Sequence, residues 1–600
     1  MSVNRKIPKT ENRLYLIFAR ILHMPVTKKT LKVCVFLIPM IGLSYFLGSV
    51  IMYINALHPI YSDELYISQD QFMDSNSTLL ADYAEKFEDQ KITYHLPHNL
   101  TGDGWDYYPY CGLYFKNNPS SYGIVNTSTY LDFIDGQVCN TSHPLNEINY
   151  YTGQGHSIVY SGYTAVGDAL RYAVYQREGN NTGVEKSREQ LLRIVKGFSL
   201  LSEVTGDGSM ARFVVPDTPK SRSIMPSYQF KEEVVNSHLF FKRNFTGPND
   251  KEYSFYVETG TSVDCYLGAY IGFGAIYALC NDTEIRSIIK TAIDRMLTYH
   301  VNSGWRFIDA DGKTHSMGAE ALNAAPFTDS AYCMLFLRVG KTVNPEKWGP
   351  LYDEYTYERQ FVRRVGKHAQ WDYYKLFPWS HVGGYFNVNL ATTIAGCLCF
   401  LEDDPQLKDY YIEHYMKPLR DGNRYHRNAW FDALYYLAQY QISYRNYDDL
   451  LVTPKSVSIE AEEAEYIEKA VADCLMRYSL RKYPSRVFGH PISMDSYDDY
   501  EKWSPIDGAT YPDYEIIEWE DRVNLNNPII ALLSPLYHPG DYSNTAMPTD
   551  WQRTTTWMWE SSPFQIRPVN SNGMKQAQPG DFTSPYWIGR FLNFSTIALS

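Results

Sequence analysis

Long apolar runs are scarce in this sequence, and that scarcity limits how the chain can meet a membrane. Only residues 33–57 pass about 25 positions without a charge, which at about 1.5 Å per residue spans a hydrocarbon core of roughly 30 Å. The longest later candidate, residues 388–401, is shorter and contains Asn389 and two threonines, which is typical of a buried core helix. The sequence therefore predicts a single membrane span.

Acidic residues are almost missing before that run. Glu11 is the one acid in residues 1–32, against eight basic residues, Arg5, Lys6, Lys9, Arg13, Arg20, Lys28, Lys29 and Lys32. Segments with this bias stay cytosolic. We therefore expect a type II protein with a basic cytosolic tail (1–32), a transmembrane helix (33–57), a stem (58–76) and a large lumenal or extracellular part. A cleaved signal peptide is the alternative, but its apolar region would be only about 7–15 residues long.

Glycosylation sequons are also missing before the apolar run. Asn-x-Ser/Thr is modified only in the secretory lumen, and all eight sequons follow the run, at Asn76, Asn99, Asn126, Asn140, Asn180, Asn244, Asn281 and Asn593. Their one-sided distribution agrees with the charge bias. It predicts a glycoprotein of the ER, the Golgi or the cell surface.

Metal-binding patterns are missing as well. No Cys-x-x-Cys or His-rich spacing suggests zinc, and we predict neither a metal nor a cofactor. Of the nine cysteines, Cys111 and Cys139 flank a loop rich in Tyr, Gly, Asn and Ser and are predicted to form a disulfide. The net charge of -13 argues against nucleic acid as a partner. We expect the chain to contact the lipid bilayer through the predicted transmembrane helix alone.

Hydrophobic periodicity predicts a mainly helical domain over residues 77–480. Helical spacing recurs in five pairs of segments, 157–176 with 185–203, 262–280 with 283–301, 318–339 with 350–365, 387–402 with 405–419, and 426–442 with 458–478. The first helix of each pair is apolar nearly all round and must be buried, whereas the second is amphipathic and covers it. A sixth pair, from residues 79–88 and a segment in the last 100 residues, would close an α/α toroid. An open solenoid is the alternative, but it would show a fixed repeat length.

The remaining segment is 481–600, and its residues 483–584 have little helical periodicity and many Pro, Asp, Tyr and Trp. We interpret 481–600 as a loop-rich segment that completes or covers the toroid. A small separate β domain is the alternative.

Several stretches resemble the six-hairpin glycosidase-like superfamily. They are SGYTAVGDALRYAV (161–174), LLRIVKGFSLLSEVTGDGSMAR (191–212), ETGTSVDCYLGAYIGFG (258–274), GWRFIDADGKT (304–314), HRNAWFDALYY (426–436), MPTDWQRTTTWMWESSPFQ (547–565) and DFTSPYWIGRF (581–591). This class contains inverting glycosidases, unsaturated-uronide hydrolases, polysaccharide lyases and uronyl epimerases. The resemblance implies a carbohydrate or glycoconjugate substrate and leaves the bond open. The 52 tyrosines and 12 tryptophans fit a sugar site and a large aromatic core equally well.

Glycoside hydrolysis needs two carboxyl groups, about 6.5–9.5 Å apart when the reaction inverts configuration. Acids at the starts of apolar helices are the candidates, namely Glu258, Asp264, Asp329 and Asp432. The competing interpretation is a helix-start acid favoured by the helix dipole for Asp264 and a structural hydrogen-bond network for Asp329 and Asp432. The side chains predicted to bind substrate are Arg212, His381, Asn428 and Trp430.

Two other functions remain open. A uronate-directed lyase or epimerase would use His381 or His426 as base, a tyrosine as proton donor, and Arg427 or Arg212 near the carboxylate. A toroid without catalysis would bind glycan or protein. We reject a metal-dependent glycosyltransferase built on Asp309 and Asp311, because that pair follows a helical hairpin and is more typical of a turn.

Overall fold

Helices dominate the part of the chain that the computed structural model describes, which is residues 66–116, 148–152, 154–225, 230, 240–247, 250–308, 321–323, 328–365, 385–440, 459–479, 516–517, 542–543, 545–550, 552, 557–564 and 575–598. All of them belong to one compact unit within Pro59–Ser600. The predicted tail and transmembrane helix lie outside the described residues. Among the described helices, none is apolar over a length that would cross a bilayer.

The helices are numbered here in chain order. They are α1 (Ser77–Tyr94), α2 (Ser157–Arg177), α3 (Asn181–Glu203), α4 (Pro219–Ile224), α5 (Val263–Leu279), α6 (Thr283–Asn302), α7 (Thr328–Val343), α8 (Pro345–Asp353), α9 (Tyr385–Leu401), α10 (Pro405–Tyr411), α11 (Lys417–Asn423), α12 (Ala429–Ala438), α13 (Ala461–Ser479) and α14 (Gly580–Phe591). The π turns Glu354–Glu358 and Ile412–Met416 follow α8 and α10, and the 3₁₀ turns Gln154–His156 and Met558–Glu560 matter for the site below.

The predicted helices are present in pairs, and their boundaries differ most from the prediction in the third pair. For the segment expected at 318–339, the described helix is α7, Thr328–Val343, and the described residues 321–323 are not helical. The segment expected at 350–365 starts earlier, because Asn344 and Pro345 open α8, and proline is favoured in the first turn of a helix. The predicted sixth pair is present as α1 and α14.

The six most buried of the described helices pack in a closed cycle. α2 packs on α5, α5 on α7, α7 on α9, α9 on α12, α12 on α14, and α14 returns to α2. In α14 every residue is buried, and in α5 and α9 nearly every one. The amphipathic helices lie outside this cycle, with α3 on α2, α6 on α5, α8 on α7, α13 on α12 and α1 on α14. Inner and outer helices therefore alternate along the chain.

Two glycines allow the backbones of α2 and α5 to approach closely. A Cβ added to Gly162 would lie 1.9 Å from the carbonyl oxygen of Gly268, and one added to Gly268 would lie 2.4 Å from the carbonyl oxygen of Ile158. No side chain fits between these backbones. The contact fixes where the start of α5 lies relative to the start of α2.

Short strands occupy the loops between helices. They are β1 (Gly112–Phe115), β2 (Ile148–Thr152), β3 (Phe213–Pro216), β4 (Phe240–Thr246), β5 (Glu252–Glu258), β6 (Ile516–Ile517), β7 (Tyr542–Ser543) and β8 (Lys575–Gln576). The sheet orders are β2-β1-β8, β3-β5-β4 and β6-β7, all antiparallel. Because β8 pairs with β1 and α14 packs on α2, the described C-terminal residues belong to the helical unit rather than to a separate β domain.

A buried ionic network joins α1 to α2 and α14. Lys91 Nζ donates to Asp168 Oδ1 at 2.6 Å, to Glu88 Oε1 at 3.0 Å and to Thr583 Oγ1 at 3.2 Å. Arg171 Nη1 lies 2.5 Å from Glu88 Oε2. Burial alone would raise the pKa of Glu88, but the charges of Arg171 and Lys91 bring it below its usual value. The network ties the first described helix to the last.

Candidate functional site

The start of α5 places Asp264 beside the start of α2. Asp264 is in the first turn of α5 and its side chain is 9% exposed, and His156 is the residue that precedes α2, with 52% of its side chain exposed. His156 Nδ1 lies 3.8 Å from Asp264 Oδ2. Burial raises the pKa of Asp264, but His156, Ser262 and the charge of Arg212 lower it below the usual aspartate value. The Asp264 side chain is therefore a carboxylate at neutral pH.

Arg212 fixes the backbone around this acid. Its Nε donates to the Gly155 carbonyl at 2.7 Å and its Nη1 to the Gly260 carbonyl at 3.0 Å. Its backbone N–H donates to the carbonyl of Glu258, at the end of β5, at 2.7 Å. The predicted substrate-binding arginine thus joins the turns that precede α2 and α5. Its guanidinium donates these hydrogen bonds to backbone carbonyls.

Glu258 is brought into the same region as Asp264. Both charges act on the buried thiol of Cys265, whose pKa is raised to about 12 mainly by burial, then by Asp264 and to a smaller extent by Glu258. Glu258 is half-buried. Two of the four predicted acids are therefore neighbours at the start of α5.

A third acid reaches this region from the C-terminal segment. Tyr160, in the first turn of α2, donates its hydroxyl to Glu560 Oε2. Trp557 stacks on the Tyr160 ring, with centroids 6.1 Å apart and planes within 8°. Glu560 is half-buried. It had no place among the predicted site residues.

Aromatic rings on the inner helices and on the C-terminal segment lie near Asp264 and Glu560. Tyr163 lies edge-on to Trp557 at 5.4 Å and stacks on Trp430 at 5.7 Å. Burial raises the pKa of Tyr163 well above its usual range, and the charges of Asp264 and Glu560 add to that effect. Burial, Glu560 and Asp264 act on Tyr160 in the same direction. Both tyrosines therefore lie in the field of both acids, and a desolvated aromatic wall strengthens that field.

The Trp557–Glu560 segment is held by two inner helices. Asp581, in the first turn of α14, accepts from Met558 N at 3.1 Å, and its carbonyl accepts from Trp559 Nε1 at 2.6 Å. Asn428 Nδ2 donates to the Trp559 carbonyl at 3.0 Å, while its Oδ1 caps α12 by accepting from Phe431 N at 3.1 Å. The predicted ligand-binding Asn428 is thus a positioning residue for this segment.

The side chains of Trp430 and Asp432, both on α12, point in different directions. Trp430 is fully buried in the aromatic wall and donates from Nε1 to Thr393 Oγ1 at 2.9 Å. Asp432 pairs with Arg420 of α11, which also meets Glu463 of α13 at 3.0 Å. Burial raises the pKa of Asp432, and the charge of Arg420 opposes that rise. Asp432 therefore faces the outer helices. This placement agrees with the interpretation of Asp432 as part of a structural network rather than as a catalytic acid.

The remaining candidates are placed as follows. Asp329 is half-buried in the first turn of α7. His426 Nδ1 lies 3.1 Å from the Tyr385 hydroxyl, and Arg427 Nη1 lies 3.9 Å from Asp473 Oδ2, just before α12. Outside the described residues lie His381, Asp309, Asp311, Asn126, Asn140 and Cys139. Cys111 is buried, and because its predicted disulfide partner lies outside the described residues, the disulfide stays a prediction.

Sequence reasoning missed His156, Tyr160, Trp557 and Glu560. The last two lie in the stretch MPTDWQRTTTWMWESSPFQ, where an acid between tryptophans and serines was the available signal. No sequence signal showed that they lie close to α2, because Tyr160 and Glu560 are separated by 400 positions in the chain. Of the residues that the structure describes, no three His, Cys, Asp or Glu side chains are grouped to hold a metal ion.

Comparison of the chain with family models, with curated proteins and with solved structures finds no match.

Proposed function

We propose that this chain is a carbohydrate-active α/α toroid that works as a glycoside hydrolase, with Asp264 and Glu560 as its two carboxyl groups. The observation that carries the proposal is that Tyr160 binds Glu560 while its ring lies 6.3 Å from that of His156, which faces Asp264 at 3.8 Å. A hydrolase needs such a pair on separate supports, with room between them for a sugar and a water.

The toroid is supported by the packing cycle of α2, α5, α7, α9, α12 and α14. Each inner helix has an outer partner, and α1 supplies the last one from the other end of the sequence. In such an arrangement the loops before the inner helices share one mouth. His156, Asp264 and Asn428 all lie at those helix starts.

The two acids are suited to different roles. Asp264 is kept ionised by its neighbours, so it is the base that activates water. Glu560 is then the acid that protonates the leaving oxygen. Tyr160 orients it by donating its hydroxyl to one of the two carboxyl oxygens.

The test uses the full-length chain in detergent with a panel of neutral and uronate-containing oligosaccharides, with new reducing ends as the readout. We expect Asp264→Asn and Glu560→Gln each to lower turnover by about 100-fold or more, as removal of an acid-base group does. Asp353→Asn and Glu413→Gln are matched controls, because both acids are about half exposed and paired with surface lysines. Full activity of either site variant would refute the assignment.

A uronate-directed lyase or epimerase is a second candidate, because the site also holds a histidine and a tyrosine. His156 faces Asp264 through Nδ1, an arrangement that suits a base acting through Nε2. The ring of Tyr160, the candidate proton donor, lies 6.3 Å from that of His156. A lyase would release an unsaturated sugar, detected by its ultraviolet absorbance, without consuming water. A toroid that only binds glycan would retain its affinity in Asp264→Asn and show no turnover in the wild type.

The membrane topology is part of the proposal. The basic tail, the apolar run and the one-sided sequons support a type II protein with the helical unit in the lumen or outside the cell. Protease added to sealed microsomes should shorten the chain only by its tail. Digestion of the large unit in intact vesicles would reverse the topology.

A further inference from the structure

Three sequon asparagines surround the end of α2. Asn281 Oδ1 accepts from the Tyr172 hydroxyl at 2.8 Å and from Gln176 Nε2 at 3.3 Å. Asn593 Oδ1 accepts from Arg177 Nη2, on the last residue of α2, at 3.0 Å. Asn180 follows three residues later and caps α3 by accepting from Gly183 N at 2.9 Å. All three asparagines are exposed.

The amide oxygen and nitrogen of these side chains have separate roles. Each hydrogen bond described above uses Oδ1 and thereby fixes the side-chain orientation. The nitrogen is the atom to which a glycan is attached, so a glycan and the Oδ1 bond are compatible. Asn593 also has a φ of 58°, a left-handed conformation that asparagine tolerates well.

We propose that Asn180, Asn281 and Asn593 carry N-linked oligosaccharides and make the end of α2 a glycan-bearing face. In each transfer Nδ2 loses one proton and bonds C1 of N-acetylglucosamine. The C1–O bond to a lipid diphosphate donor breaks, and the lipid diphosphate leaves. The inference rests on the lumenal topology proposed above.

This face lies away from the candidate site. His156 and Tyr160 are at the start of α2, and the 21 residues of that helix span about 30 Å. The glycans therefore leave the proposed mouth open to a substrate.

The experiment is site-resolved mass spectrometry of the full chain made in a secretory eukaryotic host. Release of N-glycans by an amidase in ¹⁸O-labelled water turns each occupied asparagine into a labelled aspartate. We expect label at all three positions. An unmodified amide at any of them, with label at Asn76 or Asn244, would overturn the glycan-bearing face while leaving the topology intact. An absence of label at every sequon would overturn both.

Two sets of variants separate glycan loss from misfolding. The triple variant Asn180→Asp, Asn281→Asp and Asn593→Asp keeps every Oδ1 acceptor and is chemically identical at these positions to the enzymatically deglycosylated chain. It should lose three glycans in mass. After the same amidase treatment, it should unfold at the same temperature as the treated wild type. Thr182→Ala and Thr283→Ala remove two sequons without touching the asparagines and should each remove one glycan. A variant chain with unchanged mass would contradict the inference.

Discussion

Two regions of the molecule bury charged side chains but balance their charges differently. One is the junction of α1, α2 and α14, and the other is the start of α2 and α5. At the junction two cations meet two acids, and the four side chains are at most 5% exposed, namely Glu88, Lys91, Asp168 and Arg171. Such a balanced network is typical of structure. Removing one member leaves its partner charged in a medium that cannot solvate it.

Among the residues that the structure describes, the start of α2 and α5 has more acids than cations. Asp264 and Glu560 lie around Tyr160, and the nearby basic groups are the half-exposed His156 and Arg212, whose guanidinium binds backbone carbonyls. An unequal arrangement of acids against an aromatic wall is what acid-base chemistry needs. The comparison teaches that buried charge alone does not identify a site, whereas unequal charge beside partial exposure points to one.

The largest expected effect is at the junction. Lys91→Met removes a fully buried cation and leaves Asp168 and Glu88 with one cation between them, so we expect the free energy of unfolding to fall by about 3–5 kcal/mol. Urea denaturation followed by tryptophan fluorescence measures it. Lys86→Met, on the same helix in a partly exposed pair with Asp82, is the control and should cost under about 1 kcal/mol. Equal losses in the two variants would remove the distinction between the regions.

Much of the helical architecture was predictable, because the spacing of apolar residues within each segment indicates both a helix and the side of it that is buried. The apolar α5 and the amphipathic α6 appear where DCYLGAYIGFGAIYALC and EIRSIIKTAIDRMLTYHV predict them. The interrupted outer helices were less predictable, since a π turn after α8 leaves no clear mark in hydrophobic spacing.

The candidate site was predictable only in part. Asp264 could be found because an acid opening an all-apolar helix is unusual. Asp432 has the same local pattern, yet Arg420 neutralises it, and that partner is visible only in three dimensions. Glu560 depends on a contact with α2 across most of the chain, which no local pattern encodes.

An intermediate case is His300, a buried group that makes ring contacts but no hydrogen bond to the described residues. His300 is fully buried among aromatic rings, stacked on Trp305 at 5.8 Å and Phe336 at 5.6 Å. Neither ring nitrogen has a hydrogen-bond partner among the described residues. Burial lowers the pKa of His300 to about 3, from 6.5 in an unfolded chain.

His300→Phe should therefore change the acid sensitivity of the fold. Between the two pKa values the unfolded wild type binds a proton that the folded protein does not, so its stability falls as the pH drops below 6.5. At about pH 5 this amounts to roughly 2 kcal/mol, which His300→Phe should recover. Urea unfolding of both proteins at neutral pH and at pH 5 measures it, with the exposed His414→Gln as control. An equal acid loss in wild type and His300→Phe would show that His300 is protonated in the fold.

The smallest effect on stability is expected at the site itself, for Asp264→Asn. Asparagine keeps an acceptor for Ser262, so the free energy of unfolding should fall by less than about 1 kcal/mol at neutral pH. The pKa of Asp264 is lowered in the fold, so the carboxylate stabilises the folded state above the ordinary aspartate pKa of 3.8, and that contribution disappears as the pH falls through the lower folded value. The difference between wild type and Asp264→Asn should accordingly shrink in acid. A difference that reverses in sign above pH 3.8, with the variant the more stable protein, would mean that burial outweighs His156 and Ser262 and that Asp264 is held protonated. The roles of Asp264 and Glu560 as base and acid would then be exchanged.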